Sequence, residues 1–115
     1  MQMLMLDDLD DAALDQLPFG VVRLDGDQMK VVRMNKTESE ASGIQRWRAL
    51  GREFFRDVAP GPANRELAEA IRAFAHGDGP PAVSHVFHRR AGNDATQIEL
   101  VRGRSDDAVY LCIRR

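Results

Sequence analysis

The residues best suited to chemistry are one cysteine, Cys112, and three histidines. A thiolate is a nucleophile and a metal ligand, and an imidazole is a general base and a metal ligand. His85 and His88 lie three positions apart in a predicted strand, so they project from opposite faces and do not share a metal ion. His76 ends a predicted helix, where a positive imidazole complements the helix dipole. No catalytic triad, phosphate-binding glycine loop or metal-ligand cluster has a useful spacing, so neither an enzyme nor a metal site is expected.

Cys112 lies in a predicted final strand, where alternation puts it on the same face as Tyr110. Leu111 and Ile113 then point to the other face. A small side chain in such a strand is expected to be packed and inert. The sequence therefore indicates a structural thiol.

Composition narrows the class of protein further. The chain has 115 residues, 43% of them hydrophobic and 30% charged, which fits one domain with one core. A net charge of −2 gives no general attraction to nucleic acid or an anionic membrane. No apolar run approaches the roughly 20 residues of a membrane span. With a single cysteine no internal disulfide is possible, and a cytoplasmic location is expected.

The pattern of elements predicts an α+β fold. An acidic N-terminal helix comes first and Pro18 ends it. Two strands then flank the turn Asp25-Gly26-Asp27, and a helix over Lys36–Ser42, capped by Asn35, stops at Gly43. A short helical piece over 44–50 follows, and then an amphipathic helix capped by Asn64. The predicted strands lie at about 18–24, 29–35, 82–90, 95–104 and 108–115. Clustered strands favour an antiparallel sheet.

Three short sequence motifs resemble the photoactive yellow protein branch of the PAS sensor domains. They are Leu17-Pro18-Phe19-Gly20, Leu24-Asp25-Gly26-Asp27 and Gly51-Arg52-Glu53-Phe54-Phe55-Arg56-Asp57-Val58-Ala59-Pro60. The resemblance covers about Leu17 to Arg115. It implies a five-stranded antiparallel sheet with short helices on one face. Residues 1–16 would form an N-terminal helical cap and residues 17–115 a single PAS domain.

The resemblance also identifies a pocket. In those light sensors a cysteine follows the "VAP" motif and carries a thioester-linked coumarate. Gly61 stands at that position here, and glycine cannot form the bond. Met34 replaces a tyrosine and Ile44 an arginine, whereas the glutamate position is kept as Glu38. The pocket candidates that follow from this comparison are Met34, Glu38, Ser42, Ile44, Phe54, Phe55, Gly61 and Phe87.

Other residues are candidates for a protein interface. Trp47 lies between two arginines and is either an exposed anchor or a cover for the core edge. Tyr110 is a second exposed candidate, and Leu9 and Leu14 belong to the predicted N-terminal helix. The acidic segment 7–15 is expected to pack on or near a sheet made basic by Arg89, Arg90, Arg102, Arg104, Arg114 and Arg115, unless both serve a partner.

These observations favour a signalling or regulatory domain that acts through protein–protein interaction, and the family resemblance implies a bacterial origin. Its partner would be a second copy or another regulatory protein, and covalent coumarate photochemistry is not expected. The alternative is a non-covalent sensor that binds an apolar aromatic ligand or haem in the PAS pocket. Haem remains open because some PAS domains hold it through one histidine. A flavin is the other coloured ligand of this alternative, although the "NCRF" motif in which flavin-binding PAS domains often place a cysteine is absent.

Overall fold

The computed structural model describes residues 6–26, 28–58, 63–76, 82–88, 95–103 and 108–114. Its strands are β1 (Gly20–Asp25), β2 (Lys30–Met34), β3 (Ala82–His88), β4 (Ala95–Arg102) and β5 (Ala108–Arg114). They form one antiparallel sheet in the order β2-β1-β5-β4-β3, so the first and last strands are neighbours. The α+β class and the five-stranded sheet are confirmed, and each strand lies within two residues of its predicted ends.

Helices occupy the connections before β1 and between β2 and β3. They are α1 (Asp11–Asp15), α2 (Lys36–Ser42), α3 (Arg46–Ala49) and α4 (Ala63–His76), with a 3-10 turn at Leu6–Asp8 and a π-helical turn at Phe54–Val58. Gly43 ends α2 in the left-handed conformation, as predicted. The predicted cap at Asn64 is wrong, because α4 begins at Ala63 and Asn64 lies in its first turn. Within the described ranges no helix has the length and apolar character of a membrane span.

The sheet buries both of its faces. Val109, Leu111 and Ile113 of β5 pack in the main core with Leu67 and Ile71 of α4. The alternate residues of β5, Tyr110 and Cys112, lie in a second cluster with Leu6 and Leu14. The predicted alternation along β5 is therefore confirmed. It separates a helix layer on one face of the sheet from the N-terminal segment on the other.

The N-terminal segment is less regular than its sequence predicts. A single amphipathic helix is expected there, but the chain forms the 3-10 turn Leu6–Asp8 and then the short helix α1. The break comes at Asp10, whose Oδ1 accepts a hydrogen bond from the Ala13 amide at 2.8 Å and so caps α1. We call residues 6–16 the cap.

One buried side chain, Asn35, joins the cap to the rest of the fold. Its Nδ2 donates to the carbonyl oxygens of Leu14 at 2.9 Å and Phe19 at 3.0 Å. Its Oδ1 accepts from the amides of Val21 at 2.9 Å and Glu38 at 3.0 Å. The predicted helix cap at Asn35 is thus confirmed for α2. The same amide also satisfies backbone groups of α1, of β1 and of the turn between them.

We expect Asn35→Ala to lower the free energy of unfolding by about 3 kcal/mol, because it removes a helix cap and leaves buried backbone groups unpaired. Urea unfolding followed by circular dichroism measures this loss. Asp10→Ala is the matched control, since it removes an exposed cap of the same kind and should cost only about 1 kcal/mol. Equal losses in the two variants would show that Asn35 acts as a helix cap alone.

Candidate functional site

Four of the predicted pocket residues lie together in the main core. Met34 and Phe54 are buried, and Ile44 and Phe55 are half-buried and pack against the same cluster. The rings of Phe54 and Phe55 meet edge to face, with their centroids 4.9 Å apart. These side chains form an apolar region between β2 and the short helices.

Glu38 is buried at the first turn of α2 and is only 4% exposed. Its carboxyl group lies directly against the backbone of Gly20, so closely that a Cβ at position 20 would collide with it. Gly20 is the last residue of the Leu17-Pro18-Phe19-Gly20 motif. The absence of a side chain there lets α2 approach β1 and places an acid at the inner surface of the fold.

The remaining pocket candidates are Ser42, Gly61 and Phe87. The Ser42 hydroxyl accepts a hydrogen bond from the Ile44 amide at 3.2 Å, and the Ser39 hydroxyl donates to the Ile44 carbonyl at 2.7 Å. Ser42 therefore holds the turn between α2 and α3. Gly61 lies outside the described residues. Phe87 pairs with Thr96 between β3 and β4, but its side chain is not described.

A polar network fastens the cap to the sheet. The Tyr110 hydroxyl donates to Asp7 Oδ1 at 2.7 Å and accepts from Arg33 Nη1 at 3.0 Å. Arg33 also donates to the carbonyl oxygens of Leu6 at 3.2 Å and Leu9 at 2.7 Å. One guanidinium therefore binds the backbone of the cap at two points and the phenol at a third.

The expectation that Tyr110 is exposed is wrong. Its relative exposure is 0%, because the cap covers it, and Leu14 is buried in the same cluster. Leu9 is half-buried against that cluster. Burial and then the hydrogen bond to Asp7 raise the pKa of Tyr110 above its usual value. Of the four interface candidates, Trp47 alone is exposed.

The acidic cap packs on the sheet as expected, and three of its aspartates pair with arginines outside the predicted set. Asp11 pairs with Arg33 at 3.2 Å, and Asp7 lies 3.5 Å from Arg23. Asp15 pairs at 3.0 Å with Arg46 of α3. Asp11 and Asp15 lie four residues apart on α1, whereas Asp7 belongs to the preceding 3-10 turn. Their partners belong to β1, β2 and α3.

Two of the arginines that were predicted to receive the cap contact aromatic rings. The guanidinium of Arg114 lies 4.3 Å from the centroid of Phe19, and that of Arg102 lies 4.6 Å from the centroid of Phe74. Arg89, Arg90, Arg104 and Arg115 lie outside the described residues.

Sequence reasoning missed Arg33 because of an irregularity in β2. The pairing of β1 with β2 shifts between Arg23/Leu24, so that Arg23 faces Arg33 while Leu24 faces Val31. Val32 is the extra residue of this bulge. Val31 therefore packs in the main core whereas Arg33 reaches the cap, although simple alternation puts both on one face. No glycine or proline marks the position.

The bulge also helps to form an exposed apolar patch. Val32 and Leu50 are each 45% exposed and Trp47 is 71% exposed, and these are the large exposed hydrophobic residues of the described chain. All three line one groove of about 520 Å³ between α1 and α3. Leu14 and Met34 also line it. We call this the Trp47 groove. Trp47 was a candidate from the sequence, but Val32 and Leu50 were not.

Cys112 is buried on the cap side of the sheet, away from the cluster of Met34 and Phe54. Burial first, and then the charge of Glu99, raise the pKa of this thiol to about 11. Almost none of it is thiolate at neutral pH, so it is a poor nucleophile. No group of three metal-ligating side chains occurs among the residues that the structure describes.

Known proteins resemble this arrangement over nearly the whole chain. Residues 14–108 match the PAS fold family. The photoactive yellow protein of Rhodothalassium salexigens is 27% identical over 94% of this chain and 86% of its own length. That of Halochromatium salexigens is 26% identical over 96% and 88%.

A solved structure agrees with these matches. The photoactive yellow protein domain of the sensor histidine kinase Ppr from Rhodospirillum centenum superposes with a TM-score of 0.77. It is 27% identical, and 96% of each chain is covered. The chain therefore belongs to the PAS fold family, in its photoactive yellow protein-like branch. PAS domains are sensor modules of signalling proteins, and their role is sensory rather than catalytic.

Tyr110→Phe should loosen the cap and lower the free energy of unfolding by about 1–2 kcal/mol, because Asp7 and Arg33 lose their shared partner inside the protein. Hydrogen exchange at the amides of the cap should rise more than exchange in β4. Asp11→Asn is the control, since its exposed ion pair contributes little. Unchanged exchange in the cap of Tyr110→Phe would contradict this assignment.

The raised pKa of Cys112 predicts a loss of stability at alkaline pH. The folded thiol keeps its proton up to a pH of about 11, whereas the unfolded thiol loses it from about 9. The contribution of the protonated thiol to the free energy of unfolding is therefore complete below pH 9 and disappears as the pH rises to 11. Wild type should lose up to about 2 kcal/mol relative to Cys112→Ala across this window. Urea unfolding at a series of pH values measures it, and parallel curves would contradict it.

Proposed function

We propose that this domain is a signalling or regulatory module that acts through protein–protein interaction, with a second copy or with another regulatory protein. The exposed patch of Val32, Trp47 and Leu50 carries the proposal. Clustered exposed hydrophobic side chains beside a groove are typical of interaction sites, since isolated ones need no partner. Trp is also among the residues that dominate binding energy at protein interfaces.

We also propose that the domain works without covalent coumarate chemistry. A thioester requires a thiol in the pocket, and the residue after Val58-Ala59-Pro60 is Gly61. The single cysteine, Cys112, packs on the opposite face of the sheet from Met34 and Phe54, with a pKa of about 11. The residues present therefore do not fit a thioester-linked chromophore.

The position of the cap supports an interaction role. Leu14, Asp11 and Asp15 of α1 line the Trp47 groove, and α3 forms its other side. The contacts of Arg33 and Asn35 that hold the cap therefore also shape the groove. A signal that displaces the cap would change this surface directly.

Glu38 favours a second candidate function, non-covalent sensing of a small molecule. A pocket would draw one polar contact from the buried acid, which lies against Gly20, and an apolar wall from the core group of Met34, Ile44, Phe54 and Phe55. Such a site suits an aromatic ligand with one polar end. A haem would need an axial histidine, and the three histidine side chains lie outside the described part of the chain.

A native mass spectrum and an absorption scan of the full chain, purified from its own host, test these proposals. We expect the mass of the unmodified polypeptide, paired with a second copy or with another polypeptide, and no visible absorption band. A monomer that carries a small molecule would contradict the interaction role and support the second candidate. A mass increase by one coumaroyl group would contradict the absence of covalent chemistry.

A further inference from the structure

Trp47 stands as a ridge between two depressions. The Trp47 groove lies on one side, and a second depression of about 410 Å³, lined by Gly43, Ile44, Gln45 and Arg48, lies on the other. A ridge flanked by hollows has a shape that is complementary to a copy of itself when the copy is turned by a two-fold rotation.

The ridge is held in a defined orientation. The indole Nε1 of Trp47 donates to Gln45 Oε1, and the guanidinium of Arg48 lies 5.4 Å from the ring centroid. An exposed side chain that is already oriented loses less conformational entropy when it binds. Trp47 is therefore prepared as an anchor, although nothing in the described chain covers it.

Opposite charges flank Trp47. On the cap side of the Trp47 groove the carboxylate of Asp11 is 87% exposed while it pairs with Arg33. On the α3 side Arg48, which lines the second depression, is exposed, and the side chain of Arg46, which lines the groove, is 41% exposed while it pairs with Asp15. A two-fold rotation about the patch brings the acidic side of one copy onto the basic side of the other. Each copy therefore supplies the acidic half of one contact and the basic half of the other.

From this shape and charge pattern we propose that the groove binds a second copy of this chain. In the symmetric dimer Trp47 of each copy enters the groove of the other, and Asp11 of each faces Arg48 of the other. This inference rests on the proposed interaction function and adds the surface and the partner to it. A standard interface covers about 800 Å² on each chain, which is about a tenth of the 7401 Å² surface of this chain.

Sedimentation velocity of the full chain, from about 1 to about 100 μM, tests the surface. Trp47→Glu should weaken dimerisation at least about 30-fold, the effect expected of a central anchor residue. Gln97→Glu is the matched control. It adds the same charge at an exposed position of β4, away from the groove, and should leave the dimer unchanged. Circular dichroism confirms that both variants are folded.

A charge exchange tests the symmetry. Asp11→Lys and Arg48→Glu should each weaken dimerisation by about 5–10-fold, since each places like charges opposite one another. Mixing the two variants should restore the dimer, because both contacts of the mixed pair then join opposite charges. The double variant should dimerise as well, for the same reason.

The possible results distinguish a wrong docking surface from a wrong interaction function. A wild-type dimer that Trp47→Glu does not weaken would overturn this surface and leave the interaction function standing. A dimer that Trp47→Glu breaks but charge exchange does not restore would overturn the symmetric pairing. A wild-type monomer at every concentration would overturn the second copy as partner. If native mass spectra of the host preparation then also contained no second polypeptide, the interaction function itself would fail.

Discussion

The side-chain amide of Asn35 is the contact on which the arrangement of this domain depends most. Four backbone groups use it, and they belong to α1, to the turn before β1, to β1 itself and to α2. An amide suits this place because it donates and accepts at the same time. Any hydrophobic side chain of similar size would leave these groups buried without partners, and a carboxylate would lack the donors. The cap and the helix layer thus share one hydrogen-bonding centre.

The sheet places the helix layer on one face and the cap on the other. Because β5 is central and alternates strictly, Leu111 packs against the helix layer while Tyr110 and Cys112 pack against the cap. Arg33 completes the attachment, since it joins Tyr110 to the backbone of Leu6 and Leu9. The cap is thus held by directional polar contacts around a small apolar cluster. Such contacts specify its position more sharply than apolar contact alone.

Much of this fold can be predicted from the sequence, and the reasons are local. Alternation along β4 and β5, the turn around Gly26, and the pair of Asn35 and Gly43 around α2 each depend on residues close together in the chain. Helix α4 is predicted in the same way from Leu67, Ile71 and Phe74, all of which are buried.

What could not be predicted depends on contacts between distant segments. The bulge that exposes Val32 and turns Arg33 towards the cap arises from the pairing of β1 with β2 and carries no glycine signal. When the bulge is not known, the sequence gives no reason to connect Arg33 with Tyr110, and Tyr110 is then predicted to be exposed. The burial of Glu38 likewise depends on Gly20, which comes from a different element. A family resemblance grouped Met34, Ile44, Phe54 and Phe55 as pocket candidates, and these four side chains pack in one core cluster.

The same bulge connects the cap with the Trp47 groove. Its extra residue, Val32, faces the Trp47 groove, and the next residue, Arg33, holds the cap that forms the acidic side of that groove. A change that moves the cap must therefore break contacts of Arg33, and it alters the groove at the same time. In the proposed interaction role, this coupling would link the state of the cap to the binding of a partner. The connection depends on two adjacent residues of one edge strand, and it needs no path through the core.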